Sequence, residues 1–268
     1  MRELPPGYTE WPAPAGLRHA IACLWAQVTP DGGPDRDDLV LPDACSDLIW
    51  EQGRGAFVAG PDTGPVPTVR KAGTVLVGVR FRPSAGGPAL GVPLSELRDQ
   101  RVDLEDLRRR DAMRLPGTLD PETAMIRALE LAAALVTDGY PDPAAARIAV
   151  LLADPRTRAE DAAAEVGLSM RHLRRRCHAA VGYGPKTLQR VLRFRRFVAR
   201  IDAGLPSGQA AHDLAALAAR VGYADQAHLT RECRALAGLT PVALARRRGP
   251  LAAQPPADRR LTAADRGG

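Results

Sequence analysis

The string GLSMRHLRRRCHAAVGYGPKTLQRVLRFRRF at residues 167–197 is followed at 221–241 by VGYADQAHLTRECRALAGLTP. The two share one frame: Leu173, Arg175, Cys177, Gly182 and Pro185 return as Leu229, Arg231, Cys233, Gly238 and Pro241, with the identical spacing L-x-R-x-C-x4-G-x2-P. Each copy follows an alanine-rich segment ending in Val-Gly, AEDAAAEVG at 159–167 and LAALAARVG at 214–222. Repetition at fixed spacing marks a duplicated supersecondary unit. The unit reads as a short helix, a tight turn and a second helix. Gly167 and Gly222 stand where the first helix must stop and reverse, which favours a residue free to take positive φ.

Helical spacing sorts the side chains of each copy into two faces. In the second, Leu214, Leu217, Val221, Leu229 and Cys233 form the inner face and leave Gln226, His228 and Arg231 outward. In the first, Val166, Leu173, Cys177 and Val181 play that part, with Arg171, Arg174 and Arg175 outward. Ala159 and Ala162 stand where the second copy has Leu214 and Leu217, so the first unit is expected to be less stable by about a few kcal/mol. Between the units, KTLQRVLRFRRFVARIDAG at 186–204 reads as one helix about 28 Å long. Leu188, Val191, Leu192, Phe194, Val198 and Ile201 give it an apolar stripe, and Arg190, Arg193, Arg195, Arg196 and Arg200 surround the rest. A rigid basic linker suits two recognition units on one face of a duplex, whose grooves repeat every 34–36 Å or so.

The charge balance agrees. The chain has 268 residues and a net charge of +6. Residues 1–146 hold 15 basic and 21 acidic side chains, a balance of −6, whereas residues 147–248 hold 19 and 8, a balance of +11. A segment this basic accumulates polyanions by counterion release, and DNA, RNA or an acidic membrane surface could each supply the phosphates. No apolar stretch reaches the 18 or so residues of a membrane span, and the start MRELPPGYTEWP has no charged-then-apolar leader pattern. A cytoplasmic protein that does not enter a membrane is expected.

The first 120 residues read differently. Short extended pieces, DLIW, AFVAG and TVLVGVRF, lie between turn residues at 39–82, and Val75, Val77, Val79 and Phe81 alternate with the period of a half-buried strand. From 91 to 153 the runs lengthen, notably ETAMIRALELAAALV at 122–136 and PAAARIAVLLA at 143–153, with Asp120 as a cap and Pro121 in the first turn of the former helix. The expected fold class is α+β. A β-rich sensing or assembly domain occupies 1–120 and a helical connector and candidate dimer interface 121–153; an all-α domain of two helix-turn-helix units joined by a linker helix occupies 154–248. The tail 249–268, rich in Pro and Gly without periodicity, is expected to be disordered.

Rival chemistry has little to stand on. His172, His178, His212 and His228 form no HxxxH or HExxH pair, so surface or DNA-facing positions explain them better than metal ligation. The cysteines, at 23, 45, 177 and 233, form no CxxC; Cys177 and Cys233 read as core, and Cys45, inside PDACSD, as buried with pocket lining the alternative. Asp43 and Asp47 read as exposed turn caps rather than, with Glu51, a catalytic set. Gly53-Arg54-Gly55 reads as a hairpin turn. The run Arg246-Arg247-Arg248 is either a phosphate contact or a solvated helix end. No catalytic residue, metal or cofactor is assigned. The rival reading is an enzyme on the amino-terminal domain with the basic helices as a DNA tether, which would have only His19, Cys23 and Cys45 to work with.

Over residues 150–248 the two strings and the helix joining them resemble the AraC/XylS-type transcription regulators. Cys177 and Cys233 stand where that family usually has phenylalanine, and Ala162 where it usually has leucine. Upstream, LPDACSDLIW, VGVRFRPSAGGPALGVPLSELRDQRVDL and the region of Trp25 resemble the amino-terminal domain of one subgroup, which is compared with cupin-like β-barrels. The resemblance implies that the second helix of each unit enters the major groove, making Arg171, Arg174 and Arg175, then Gln226, Ala227, His228 and Arg231, base-facing. Arginine and glutamine suit the acceptor edges of G and A. Lys186, Arg190, Arg193 and Arg196 on the linker are assigned to phosphates. The expected partner is double-stranded DNA, with a small-molecule effector and a homodimer left open, and RNA polymerase if the protein activates.

Overall fold

A continuous apolar run with no polar alternation is what a strand covered on both faces looks like, and IACLWAQV forms such a strand, β2 (Ile21–Val28). The computed structural model describes residues 4–107, 114–139, 141–203 and 214–248. In it β2 pairs on one side with β1 (Gly7–Pro12) and on the other with β7 (Val75–Phe81). Beyond β7 come β4 (Ser46–Glu51), β5 (Gly55–Ala59) and β8 (Arg101–Asp103), giving one antiparallel sheet in the order β1-β2-β7-β4-β5-β8. A separate antiparallel pair joins β3 (Arg36–Val40) to β6 (Val66–Arg70). Among the described residues the six-stranded sheet stays open, with β1 and β8 at its edges. The turn expected at 53–55 closes the β4–β5 hairpin, with Gly53 and Gly55 both at positive φ and Arg54 N–H donating to the Glu51 carbonyl.

The expectation for TVLVGVRF needs correction, because β7 lies in the middle of the sheet and is buried on both sides. Val77, Val79 and Phe81 join one core with Leu48 and Trp50; Leu76 joins a second, on the opposite face, with Cys23, Trp25, Ile49, Phe57 and Ala59. Gly78 lets the Trp25 ring lie against the sheet, where any side-chain carbon would collide with it. Two short helices, α1 (Gly86–Leu90) and α2 (Leu104–Leu107), follow in the chain.

The stretch expected as a helical connector is divided between two cores. α3 (Pro121–Asp138) starts as expected, with Asp120 accepting the Thr123 N–H at 3.0 Å and Pro121 in its first turn. Its face of Ala124, Met125, Ala128, Leu131, Ala132 and Leu135 packs on the sheet. Each buried leucine there is worth about 1.5–3 kcal/mol. α4 (Pro143–Ala153), capped by Asp142 through the Ala145 N–H at 2.9 Å, instead turns Ala145, Ile148, Ala149 and Leu152 into the carboxy-terminal core. Periodicity announces an apolar face but not the core that receives it.

That core continues through α5 (Ala159–Glu165), α6 (Met170–Val181), α7 (Pro185–Asp202), α8 (Leu214–Val221), α9 (Gln226–Ala237) and α10 (Pro241–Arg248). One amino-terminal residue, Ala44, is buried in the same core. The segments expected to be helical at 159–167, 186–204 and 214–222 agree with α5, α7 and α8 to within two residues at each end. Gly204, His212 and the tail 249–268 lie outside the described residues, as does part of 1–120.

Candidate nucleic-acid interface

Each repeat folds as its frame requires. In the first unit α5 ends at Gly167 (φ 67°), and α6 begins at Ser169, whose hydroxyl accepts the His172 N–H at 3.4 Å. In the second, α8 ends at Gly222 (φ 92°), and Asp225 caps α9 by accepting the His228 N–H at 2.6 Å. Such caps satisfy donors that the first turn of a helix otherwise leaves free. Leu173, Cys177, Ala180 and Val181 are buried along α6, and Leu229, Cys233, Leu236 and Ala237 at the same frame positions along α9. Burial pushes the thiols of Cys177 and Cys233 up to about 12, as expected of packing groups rather than reactive ones.

The outward faces carry the residues singled out from the sequence. Arg171, Arg174 and Arg175 are exposed on α6, and Gln226, Ala227 and Arg231 on α9. His228 differs. The second turn is one residue longer, and Tyr223, buried within it, meets the His228 ring edge-on with centroids 5.1 Å apart. The imidazole Nδ1 accepts the Ala224 N–H at 3.4 Å. The ring therefore helps close the turn and is half-buried.

On the linker helix α7 the four residues assigned to phosphate have unlike surroundings. Lys186 is exposed in the first turn. Arg190, expected on phosphate, is held by Glu232 of α9 in contacts of 2.9–3.2 Å, and Glu232 is itself only 13% exposed. An arginine fork pairs well with a carboxylate, so its charge is already partnered within the protein. Arg193 lies over the Tyr223 ring, 5.5 Å from its centroid, with Nε buried and without a hydrogen-bond partner among the described residues. Arg196 is half-buried; burial and the charge of Arg193 lower its proton affinity while Asp154 opposes them. Arg195 and Arg200, read in the sequence as part of the basic coat, are exposed.

Two structural residues escaped the sequence reading although the repeat contains their signal. Arg176 and Glu232 occupy the same position of the frame, one residue before the cysteine. Arg176 pairs at 2.6 Å with Asp142, the cap of α4, just as Glu232 pairs with Arg190 of α7. Each recognition helix is thus tied to the helix preceding its unit, with the charges reversed. An open groove of about 310 Å³ beside α5 is lined by Leu151, Arg156, Thr157, Asp161, Ala162 and Glu165.

The expected surface position of Asp47 in the amino-terminal domain also needs correction. Its carboxylate lies under the sheet side chains, accepting from Trp25 Nε1 at 2.7 Å and from Arg80 at 3.1 Å. Burial pushes its proton affinity up, while the charge of Arg80 pulls it down. Asp43 does cap a turn, accepting the Cys45 N–H at 2.9 Å, and Cys45 is buried. Burial pushes that thiol well above the usual range. Among the described residues no three His, Cys, Asp or Glu side chains are grouped to hold a metal ion, and no helix is long and apolar enough to cross a membrane.

Two exposed, basic, N-capped helices on one shared core define a DNA-binding domain of the double helix-turn-helix class. Residues 162–247 match a helix-turn-helix domain family, and residues 9–103 match a domain of unknown function, DUF6597. The carboxy-terminal part of the chain is therefore a domain of the helix-turn-helix kind. Among solved structures the chain is similar to ToxT from Vibrio cholerae, at 11% identity over 83% of this chain and 96% of that one, with a TM-score of 0.45. A second ToxT structure from that organism, with an unsaturated fatty acid bound, is similar at 11% identity over 91% and 97%, with a TM-score of 0.42. Comparison with curated proteins gives no match.

Proposed function

We propose that the protein reads two adjacent major-groove segments of an operator, α6 facing one through Arg171, Arg174 and Arg175 and α9 the next through Gln226, Ala227 and Arg231. His228 trims the edge of the second contact from within its turn. The observation that carries this reading is the shared sorting of side chains on α6 and α9: leucine and cysteine inward, arginine outward, at identical frame positions. Lys186, Arg193 and Arg196 contribute phosphate contacts, which position without reading sequence, and Arg190 contributes by anchoring α9. The amino-terminal domain serves as the sensing or assembly module of a cytoplasmic, non-enzymatic regulator. Its proposed partners are a small-molecule effector, a second copy of the chain and, for an activator, RNA polymerase.

Selection of the full-length protein against a random duplex library at about 150 mM salt, where phosphate contacts alone discriminate little, tests the reading. Enrichment of a bipartite motif with half-sites about 10 base pairs apart is expected. Salt-sensitive binding with no enriched motif would overturn base reading and leave a non-specific tether. A shift of melting temperature with added small molecules separates sensing from assembly.

A further inference from the structure

Both recognition helices end in a left-handed glycine, Gly182 (φ 92°) after α6 and Gly238 (φ 67°) after α9; both face one loop of the amino-terminal domain, Gly182 buried tightly against it and Gly238 exposed and farther from it. A side-chain carbon at Gly182 would lie 2.5 Å from Pro61 Cγ, and one at Gly238 would lie 3.9 Å from Pro65 Cγ. The loop is GPDTGP, residues 60–65, between β5 and β6. Further contacts secure each side: the Leu94 N–H donates to the Ala179 carbonyl of α6 at 2.7 Å, and Arg247 of α10 donates to the Asp37 carbonyl at 3.1 Å.

The loop is tied down through its first four residues, 60–63. The Gly60 N–H donates to the Gln100 carbonyl at 3.1 Å, the Asp99 N–H to the Pro61 carbonyl at 3.2 Å, and Thr63 gives both its N–H and its hydroxyl to the Asp99 carboxylate at 2.7–3.0 Å. Arg101 grips Asp62 with two bonds of 2.9 and 2.7 Å, and the Asp62 side chain is 7% exposed. Any side-chain carbon at Gly60 would collide with the Leu97 carbonyl. These bonds hold Pro61, and Pro65 leads directly into β6, whose Val66 pairs with Val40 of β3, so the ends of α6 and α9 face one anchored loop, a second route between them besides the linker α7.

We propose that the 60–65 loop is a brace that fixes the spacing of the two recognition helices, with Asp62 and Arg101 as positioning residues, so that the amino-terminal domain sets the half-site separation the DNA-binding domain accepts. This rests on the reading of two adjacent groove segments given above. Simultaneous engagement of two linked modules gains affinity only when their geometry matches the spacing of the sites. A loosened brace should therefore broaden the spacings tolerated while leaving each half-site contact intact.

The test uses the full-length protein, the Asp62→Asn variant, and a Pro61→Ala/Pro65→Ala double variant that leaves the ion pair untouched should Asp62→Asn not fold. Duplexes carry the selected half-sites at the preferred spacing and at one base pair more or less. The unmodified protein should discriminate among the spacings by at least about tenfold, and the variants by no more than about threefold, with single half-site affinities unchanged. A folded variant that keeps the original discrimination overturns the brace. A DNA-free measurement separates this outcome from failure of base reading: spin labels placed through Arg175→Cys and Arg231→Cys should show a narrow distance distribution that broadens in the double proline variant. An unchanged distribution would overturn the brace whatever the DNA result.

Discussion

The two helix-turn-helix units share a frame and differ in what holds it. The second unit is built on Leu214 and Leu217, both buried, with α9 tied to the linker by the Glu232–Arg190 pair. The first has alanines at those positions, a groove beside Ala162, and an α6 tied to α4 by an ion pair of opposite polarity, Arg176–Asp142. Its α6 also rests on the amino-terminal domain, through Leu94 and Pro61. Duplicated units can thus conserve a recognition geometry while exchanging internal packing for support from neighbours. The first unit depends on its surroundings more than the second does.

The largest expected effect tests that difference in packing. Leu217→Ala gives the second unit the side chain of the first, without the Leu94 and Pro61 contacts that support α6, and should cost about 2–5 kcal/mol of stability by denaturant unfolding. A loss below about 1 kcal/mol would break the comparison, since the leucines would then not be what holds unit two. The next effect concerns what the units share. Arg175 and Arg231 are exposed at the same frame position, and each changed to Ala should cost about 1–3 kcal/mol of base discrimination, each in its own half-site, by competition between operator variants. Equal losses on cognate and random DNA would reduce that arginine to a phosphate contact.

How much of this was legible in the sequence follows from what periodicity can carry. The repeat placed α5 to α9 and their outward arginines because a helix with one apolar face writes that face into its spacing. Strand β2 went unread because a strand buried on both sides has no alternation to show, and the same burial made β7 more central than its valines implied. The burial of Asp47 is not legible in the sequence because its partners, Trp25 and Arg80, are 22 and 33 residues distant. In the site, His228 and Arg190 were assigned by face alone. The extra turn residue that seats Tyr223 under His228, and the charge reversal that pairs Arg190 with Glu232, become visible only when the positions between the repeated residues are compared as well.

That charge reversal yields the smallest and sharpest prediction. Arg190 is 38% exposed against a Glu232 side chain of 13%, whereas Arg176 is 40% exposed against an Asp142 of 21%. Removing the cation leaves a carboxylate behind in each case, and the penalty grows with how little water can reach that carboxylate. Arg190→Met should therefore destabilise the protein by about 1–3 kcal/mol. Arg176→Met should cost about 1 kcal/mol or less, because Asp142 keeps its capping bond to the Ala145 N–H and is better hydrated. The charge-exchanged pair Arg190→Glu with Glu232→Arg should recover most of the loss seen in Arg190→Glu alone, since the first unit shows that the frame accepts an arginine at that position. Failure of the exchange to recover stability would mean that Arg193 and its stacking on Tyr223 fix the polarity of the second unit, and that the reversal between the two units is imposed by their neighbours and not free to vary.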